Sequence, residues 1–262
     1  MTINHYILEN QQQLDFVFTA WNCSDAPELH NAQQIDAGLG NVVARDNVNI
    51  AYSLIGEHWQ TLSMIRFKHV SVGPAGLWGC DTTNRVYKFV AGNFQRSSGV
   101  SLQQVDAGGN DHVVGVQPNN QNAYCLRGCN ALTYSGKGSL SWSSLAKKMR
   151  YYSCGTKFGC WGVDRSYRVY VAKKVNPENC DTSSWTQVTG LYMKMVEVGT
   201  DGSVFGVTKD GKIFQRDGIT NQQQEGTHWV PVPMSMTVRH VSYDLGTLWA
   251  VTNSGLVMKC TG

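Results

Sequence analysis

Short apolar stretches recur six times along the chain, without the three-to-four-residue spacing of an amphipathic helix. Each stretch begins with a β-branched or aromatic residue, and the first five end at glycine. They occupy residues 35–38, 70–73, 105–108, 152–155, 196–199 and 241–244. Their starts are 35, 35, 47, 44 and 45 residues apart. A repeat of this length predicts one supersecondary unit copied six times.

Each repeat contains further apolar positions in a constant order. A second core residue, followed by glycine or alanine, stands at Val43, Trp78, Val114, Trp161, Phe205 and Trp249. A third stands at Tyr52, Tyr87, Tyr124, Tyr170, Phe214 and Met258. Aromatic residues open five units at Trp59, Phe94, Trp142, Trp185 and Trp229, and Trp21 is the candidate for the first. Met258 in an aromatic place and a short first unit indicate an atypical closing repeat, as terminal repeats usually are.

The fifth unit shows the local chemistry most clearly. Asp-Gly pairs at 201–202, 210–211 and 217–218 separate two β-like runs, 203–208 and 212–216. Glycine accepts the positive φ of tight hairpin turns, and aspartate bonds the local backbone. The unit is therefore predicted to be an antiparallel meander.

Apolar side chains on both faces of one strand, Val204, Phe205 and Val207, require each sheet to be covered on both sides. Radial stacking does this for all six sheets, which predicts an all-β, six-bladed β-propeller. A linear β-solenoid would have shorter and strictly regular repeats. The glycine that follows each tryptophan is expected where backbones approach closely near the narrow centre.

One domain is expected at 20–262, preceded by a non-propeller extension at 1–19. The extension is polar and does not resemble a signal peptide. The chain has no apolar run of membrane-spanning length. A net charge of +3 without a dense Lys/Arg block argues against a nucleic-acid partner.

Eight cysteines at varied spacing favour a disulfide framework and an oxidising compartment over buried cytosolic thiols, and the absence of Cys-x-x-Cys argues against zinc. If the N-terminal segment supplies the outer strand of the last blade, Cys23 and Cys260 lie side by side and close the ring by joining the two terminal strands. Cys154 and Cys160 flank a turn and could bridge one hairpin. Three pairings of four further cysteines remain open: Cys80, Cys125, Cys129 and Cys180. The triplet at Asn22 is an acceptor for N-glycosylation in a secreted protein.

The segments at 68–76, 104–109, 151–155 and 200–207 resemble the tectonin repeats of fish-egg lectins and, more distantly, of tachylectin. The resemblance implies a six-bladed propeller, secretion, disulfides and binding of sugars such as N-acetylglucosamine or galactose on eggs or microbes. The fish-egg pattern implies Cys125 with Cys180, leaving Cys80 and Cys129 paired or free. The tachylectin pattern instead implies Cys125 with Cys129 and Cys80 with Cys180. A free thiol could link to another chain, as in assemblies of a tectonin lectin with a pore-forming subunit.

Sugar recognition needs an aromatic ring face and planar polar groups, and the family places such groups at grooves between blades. The resemblance nominates Trp78 with Asp81 and Asn84, Trp161 with Asp164, and Trp249 with Asn253. The alternative is that the tryptophans pack between blades and the polar residues form turns. The outer set, namely Trp59, Trp142, Trp185 and Trp229, is expected to be packing.

The leading hypothesis is a secreted lectin that binds glycans on several blades at once, in egg protection or innate immunity. An enzyme is disfavoured because the chain has six Glu and no repeated Arg at a strand start. No cofactor or metal is expected, since the histidines share no spacing, and a calcium requirement stays open. The alternative hypothesis is a lectin subunit or protein-binding scaffold, disulfide-linked to a pore-forming partner. A homodimer is also possible.

Overall fold

The computed structural model describes residues 21–262, which form six four-stranded antiparallel sheets. The predicted extension at 1–19 lies outside the described residues. The innermost strands of the six sheets are β2 (Ala32–Gly38), β6 (Phe67–Gly73), β10 (Gln104–Asp106), β14 (Tyr151–Cys154), β18 (Met193–Val198) and β22 (Val238–Asp244). The second strands are β3 (Asn41–Asp46), β7 (Gly76–Asp81), β11 (Val113–Val116), β15 (Cys160–Val163), β19 (Val204–Thr208) and β23 (Thr247–Thr252).

The third strands are β4 (Ala51–Ile55), β8 (Arg85–Val90), β12 (Asn122–Leu126), β16 (Val169–Ala172), β20 (Ile213–Arg216) and β24 (Val257–Thr261). The outer strands are β5 (His58–Ser63), β9 (Asn93–Ser101), β13 (Trp142–Lys148), β17 (Trp185–Val188), β21 (Trp229–Val232) and, in the last sheet, β1 (Asn22–Asp25). A short helix, α1 (Gly128–Thr133), lies between β12 and β13. We number the sheets as blades 1 to 6, from β2–β5 to β22–β24 with β1.

The six blades close into a β-propeller. Each innermost strand contacts those of its neighbours, and β22 of blade 6 contacts β2 of blade 1. The predicted all-β, six-bladed fold is therefore confirmed, and each core stretch begins on the innermost strand of its blade.

The N-terminal strand completes the last blade, as predicted. Strand β1 pairs with β24 so that Cys23 lies opposite Cys260, and the two form a disulfide. Trp21 precedes this outer strand, so it belongs to blade 6 rather than to the first unit. Asn22 is exposed on the same strand, and its glycosylation stays a prediction.

The other cysteines follow the fish-egg pattern. Cys154 pairs with Cys160 across one hairpin. Disulfide Cys125–Cys180 joins residues 55 positions apart, so the tachylectin pairings are not formed. Cys80 is a buried free thiol and Cys129 is an exposed one on α1.

Glycines near the axis explain how the blades approach so closely. A Cβ added to Gly38 would lie 2.3 Å from the carbonyl oxygen of Val72 in the next blade, and Gly73 is equally tight against the following blade. The glycine of the Trp-Gly pair has another role, because a Cβ at Gly79 would meet the Phe67 ring at 2.7 Å. The prediction was wrong on this point: the close backbone approach falls on the glycine that ends the first strand.

Candidate functional site

Trp78 and Trp161 were predicted to offer ring faces to a sugar, yet both are fully buried. Trp78 packs edge-on against Trp142 of the next blade, with ring centroids 6.4 Å apart, and donates its indole N–H to the Ala75 carbonyl at 2.8 Å. Trp161 packs in the same way against Trp229, at 6.2 Å. The structure contradicts the prediction for these two indoles, because neither has an exposed face on which a sugar could stack.

Trp249 differs from these two because it is only partly buried. It packs in a cluster with Trp59 of blade 1, at the junction where the ring closes. Its predicted partner Asn253 is exposed and donates its side-chain N–H to the Thr237 hydroxyl at 2.9 Å. Trp249 lies on β23, whereas Asn253 lies in the turn after that strand and is bonded to Thr237 of the preceding inter-blade segment. Each stays a prediction on its own.

The Asp81 carboxylate is occupied by its own turn. One oxygen accepts the backbone N–H groups of Thr83 and Arg85 at 2.8 and 2.9 Å. The other accepts the Arg85 guanidinium at 2.8 Å and the Tyr87 hydroxyl at 3.1 Å. Burial alone would raise the pKa of Asp81, but these hydrogen bonds outweigh it and hold the pKa below its ordinary value. Asp164 repeats the arrangement in blade 4. Both carboxylates therefore fix a hairpin.

Asn84 occupies a left-handed backbone position at the end of the same turn, with φ of 68°. Its carbonyl accepts the backbone N–H of Leu102 at the entry to blade 3. Equivalent bonds between successive blades run from Phe67 to Asn49, Leu102 to Asn84, Met149 to Gln121, Met193 to Tyr167, Val238 to Gly211 and Ala32 to Gly255, at 2.7 to 3.0 Å. In every blade, a residue of the turn after the second strand thus joins that blade to the next through a backbone hydrogen bond.

An open groove between blades 2 and 3 lies beside the hydrogen bond that joins Leu102 to Asn84. Its volume is about 440 Å³, and its lining residues are Arg85, Arg96, Ser97, Ser98, Gly99, Val100, Ser101, Gln117 and Tyr124. The half-buried Tyr124 ring supplies an aromatic surface, with the Gln117 amide oxygen 3.5 Å from its hydroxyl. Arg96 is exposed and Arg85 is held by Asp81. An aromatic surface with a few convergent polar groups is the usual composition of a small-ligand site.

Sequence reasoning missed this site because Tyr124 fills the third core place of its repeat. Its counterpart Tyr87 is buried, and Tyr170 is covered by the Lys147 ammonium 3.5 Å from its ring centroid. The available signal was the long polar turn at 117–120, which follows the second strand of blade 3. That turn sets Gln117 beside a ring that is only partly buried.

The comparison with known proteins decides the family. Residues 31–253 match the tectonin domain family. The chain belongs to the tectonin family. It is 40% identical over 232 residues to a fish-egg lectin of Cyprinus carpio, covering 88% of this chain and 95% of the relative. It is 24% identical over 221 residues to the perivitellin-2 31 kDa subunit of Pomacea maculata, covering 79% and 72%.

Solved structures share the fold of this tectonin propeller at low sequence identity. A gluconolactonase from Xanthomonas campestris superimposes with a TM-score of 0.66 at 10% identity, covering 90% of this chain and 87% of that one. The WD40 β-propeller domain of Doa1 gives a TM-score of 0.56 at 7% identity, covering 93% and 98%. These similarities support the propeller architecture alone.

The axis of the tectonin propeller contains a ring of buried polar side chains. Three acids alternate with three serines from blade to blade, in the order Asp36, Ser71, Asp106, Ser153, Glu197 and Ser242. Five of these six side chains accept a hydrogen bond from a backbone N–H of the next blade. Asp36, for example, accepts the N–H of Val72 at 2.6 Å. Burial raises the pKa of all three acids, that of Asp106 to about 7. The ring joins the innermost strands.

One cluster has the composition of a metal site. His112, Cys154 and Cys160 bring their ligand atoms within 4.8 Å of one another. The two sulfurs are bonded to each other, so neither can act as a thiolate ligand. His112 therefore packs against a disulfide and does not complete a set of three metal ligands.

Among residues 21–262, no helix combines the length and apolarity needed to cross a bilayer.

Proposed function

We propose that this chain is a secreted lectin that binds carbohydrates without transforming them. The observation that carries the proposal is 40% identity to the carp fish-egg lectin across nearly the whole propeller. Three disulfides fit an oxidising, extracellular compartment. The role is protection of eggs or recognition of microbes.

The groove between blades 2 and 3 is the proposed sugar site. The Tyr124 ring stacks on the C–H face of a pyranose, and the Gln117 amide and the Arg96 guanidinium hydrogen-bond its hydroxyl groups. The expected sugars are of the N-acetylglucosamine or galactose type. A shallow groove binds one sugar weakly, so affinity for a cell surface comes from several contacts made at once, on other blades or on a second copy of the chain.

Non-catalytic binding is supported by the state of the axial acids. Asp36, Asp106 and Glu197 are 3% exposed, and the two aspartates accept hydrogen bonds from neighbouring backbone. A general acid or base must reach substrate. Incubation with aryl glycosides should therefore give no turnover above the buffer rate.

A glycan array of the full chain, with and without chelator, tests the lectin function and its calcium dependence. Titration of the best sugar into Tyr124→Ala then tests the groove, with an expected loss of about tenfold in affinity, or about 1.4 kcal/mol. Tyr192→Ala is the matched control, because Tyr192 is exposed and lies outside the groove. No carbohydrate binding by the unaltered chain would overturn the function, whereas full binding by Tyr124→Ala would overturn only the placement.

A second candidate function is a subunit of a disulfide-linked assembly. The exposed thiol of Cys129 and the similarity to the perivitellin-2 31 kDa subunit favour it. Non-reducing electrophoresis of native material should then show a larger species that Cys129→Ser abolishes. In the isolated chain, Cys129 should react with a thiol reagent under native conditions, while Cys80, whose pKa burial raises to about 12, should react only after unfolding.

A further inference from the structure

A repeated irregularity of the innermost strands places one residue of each blade at the same end of the axis. The ladder between first and second strands shifts register around Gln33, Lys68, Lys194 and Arg239. Gln103 and Arg150 occupy the equivalent positions just before β10 and β14. A bulge of this kind turns the extra residue out of the ladder. Five of these six residues line one cavity of about 480 Å³, which we call the axial mouth.

The axial mouth is cationic and has no carboxylate in its lining. Its four charged residues are Lys68, Arg150, Lys194 and Arg239. None of the four takes part in the ion pairs formed within residues 21–262. Burial, together with the Arg239 charge, lowers the pKa of Lys194. Lys194 and Arg239 are therefore close enough to repel, and none of the four cations forms a salt bridge with a carboxylate of the described residues.

Neutral groups hold these cations in position. The Lys68 ammonium donates to the Asn84 amide oxygen at 2.6 Å, and the Lys194 ammonium donates to the Val238 carbonyl at 2.7 Å. Arg239 donates to the Thr252 carbonyl at 3.1 Å and to the Asn253 carbonyl. Two turn residues that the sequence nominated for sugar binding, Asn84 and Asn253, thus position cations at the mouth.

The floor of the mouth does not cancel this charge. The Tyr151 hydroxyl lies 3.0 Å from His240 Nε2 and 3.3 Å from His69 Nε2, and it donates to Glu197 at 3.0 Å. Burial lowers the pKa of His69 to about 3, so the imidazole is neutral at physiological pH. Burial raises the pKa of Glu197 and of the neighbouring acids Asp36 and Asp106, which disfavours the charged form of each. No carboxylate lies among the described residues that line the mouth, so the four cations are the charged groups of the cavity wall.

We propose that the axial mouth binds an oxyanion, a sulfate or phosphate group, either free or carried as a substituent on a sugar. Lysine and arginine N–H groups on several sides of one concave cavity form charge-assisted hydrogen bonds to such a group. A volume of about 480 Å³ also accommodates the sugar that carries it. This site is separate from the groove at Tyr124, and it selects charge where the groove selects a neutral ring.

Calorimetric titration of inorganic sulfate into the full chain at low ionic strength tests the site, because this ion has no stacking face for the groove. Saturable binding at or below about 10 mM is expected, weakening as added chloride screens the cations. The double variant Lys194→Gln with Arg150→Gln should bind about tenfold more weakly. Lys137→Gln, which removes the same charge on an exposed loop after α1, should leave binding unchanged.

Thermal stability separates binding from a structural role. Four unpaired like charges repel, so neutralising two of them should leave the melting temperature unchanged or raise it while sulfate binding weakens. A comparison of sulfate with N-acetylglucosamine 6-sulfate, both titrated into Tyr124→Ala, shows whether the ligand is a free ion or a group carried on a sugar. Tighter binding of the sulfated sugar indicates a group carried on a sugar, and equal binding indicates the free ion. Absence of saturable sulfate and phosphate binding, or equal sulfate affinity in the double variant and the unaltered chain, would overturn the proposal.

Discussion

The bond between Cys23 and Cys260 closes the ring, and its removal is the sharpest test of how the fold is held together. It joins residues 237 positions apart and anchors β1, a four-residue outer strand whose side chains are mostly exposed. Little apolar burial therefore holds β1 against β24. The perturbation is the double substitution Cys23→Ala with Cys260→Ala, which frees both ends of the chain.

The expected magnitude follows from the number of residues enclosed by each bond. A cross-link over 237 positions restricts the unfolded chain by about 5 kcal/mol in the loop-entropy relation, whereas Cys154–Cys160, over 6 positions, restricts it by about 2 kcal/mol. The matched control is therefore Cys154→Ala with Cys160→Ala, which removes a bond of the same chemistry from one hairpin. The ring-closing variant should lose about 3 kcal/mol more than the control.

Urea unfolding followed by tryptophan fluorescence measures both variants, and hydrogen exchange localises the loss. The midpoint should fall further for the ring-closing variant, and amides of β24 should exchange faster because their partner strand is released. Equal or smaller destabilisation of the ring-closing variant would refute the reasoning, since closure would then be maintained by packing between blades 6 and 1.

Two further predictions concern the axis. Because burial raises the folded-state pKa of Asp106 to about 7, the native protein binds more protons than the unfolded chain above the ordinary value of 3.8, so the free energy of unfolding contributed by this group falls as pH rises towards 7. Asp106→Asn should flatten that part of the pH profile in urea unfolding, and an unchanged profile would contradict the assignment. Gly38→Ala should cost about 2 kcal/mol or more, since the new Cβ would lie 2.3 Å from a backbone oxygen. Gly246→Ala, which meets nothing within 4 Å at a φ of 80°, should cost about 1 kcal/mol, and an equal loss at both positions would argue against close backbone approach as the cause.

The strands and their order were predictable because each repeat carries the same information. Six copies of one apolar pattern fix where strands begin and end, and an N-terminal cysteine opposite a C-terminal one indicates how the ring closes. The role of each glycine was less accessible. Gly79 and Gly38 both stand in tight places, yet only the three-dimensional ring shows that one faces the Phe67 side chain and the other faces backbone of the next blade.

The candidate site was predictable only as a region, because the exposure of an aromatic ring depends on the neighbouring blade. Trp78 is covered by Trp142, while Tyr124 stays only partly buried although its repeat position matches that of the buried Tyr87. A single sequence shows which residue occupies each place in the repeat. It does not show which side chain of the next blade lies over it.

The bulged position of the innermost strand is enriched in lysine and arginine, and packing does not explain this enrichment. The neighbouring positions are constrained: one set forms the floor of the axial mouth, and another forms the buried ring of acids and serines. The bulged residue has left the ladder, so strand pairing does not determine its identity. Of all 262 residues, 22 are lysine or arginine, yet four of the six equivalent positions, one in each blade, carry one. Placing like charges without salt-bridge partners around one end of the axis opposes folding, and in our proposal an anionic ligand offsets that repulsion.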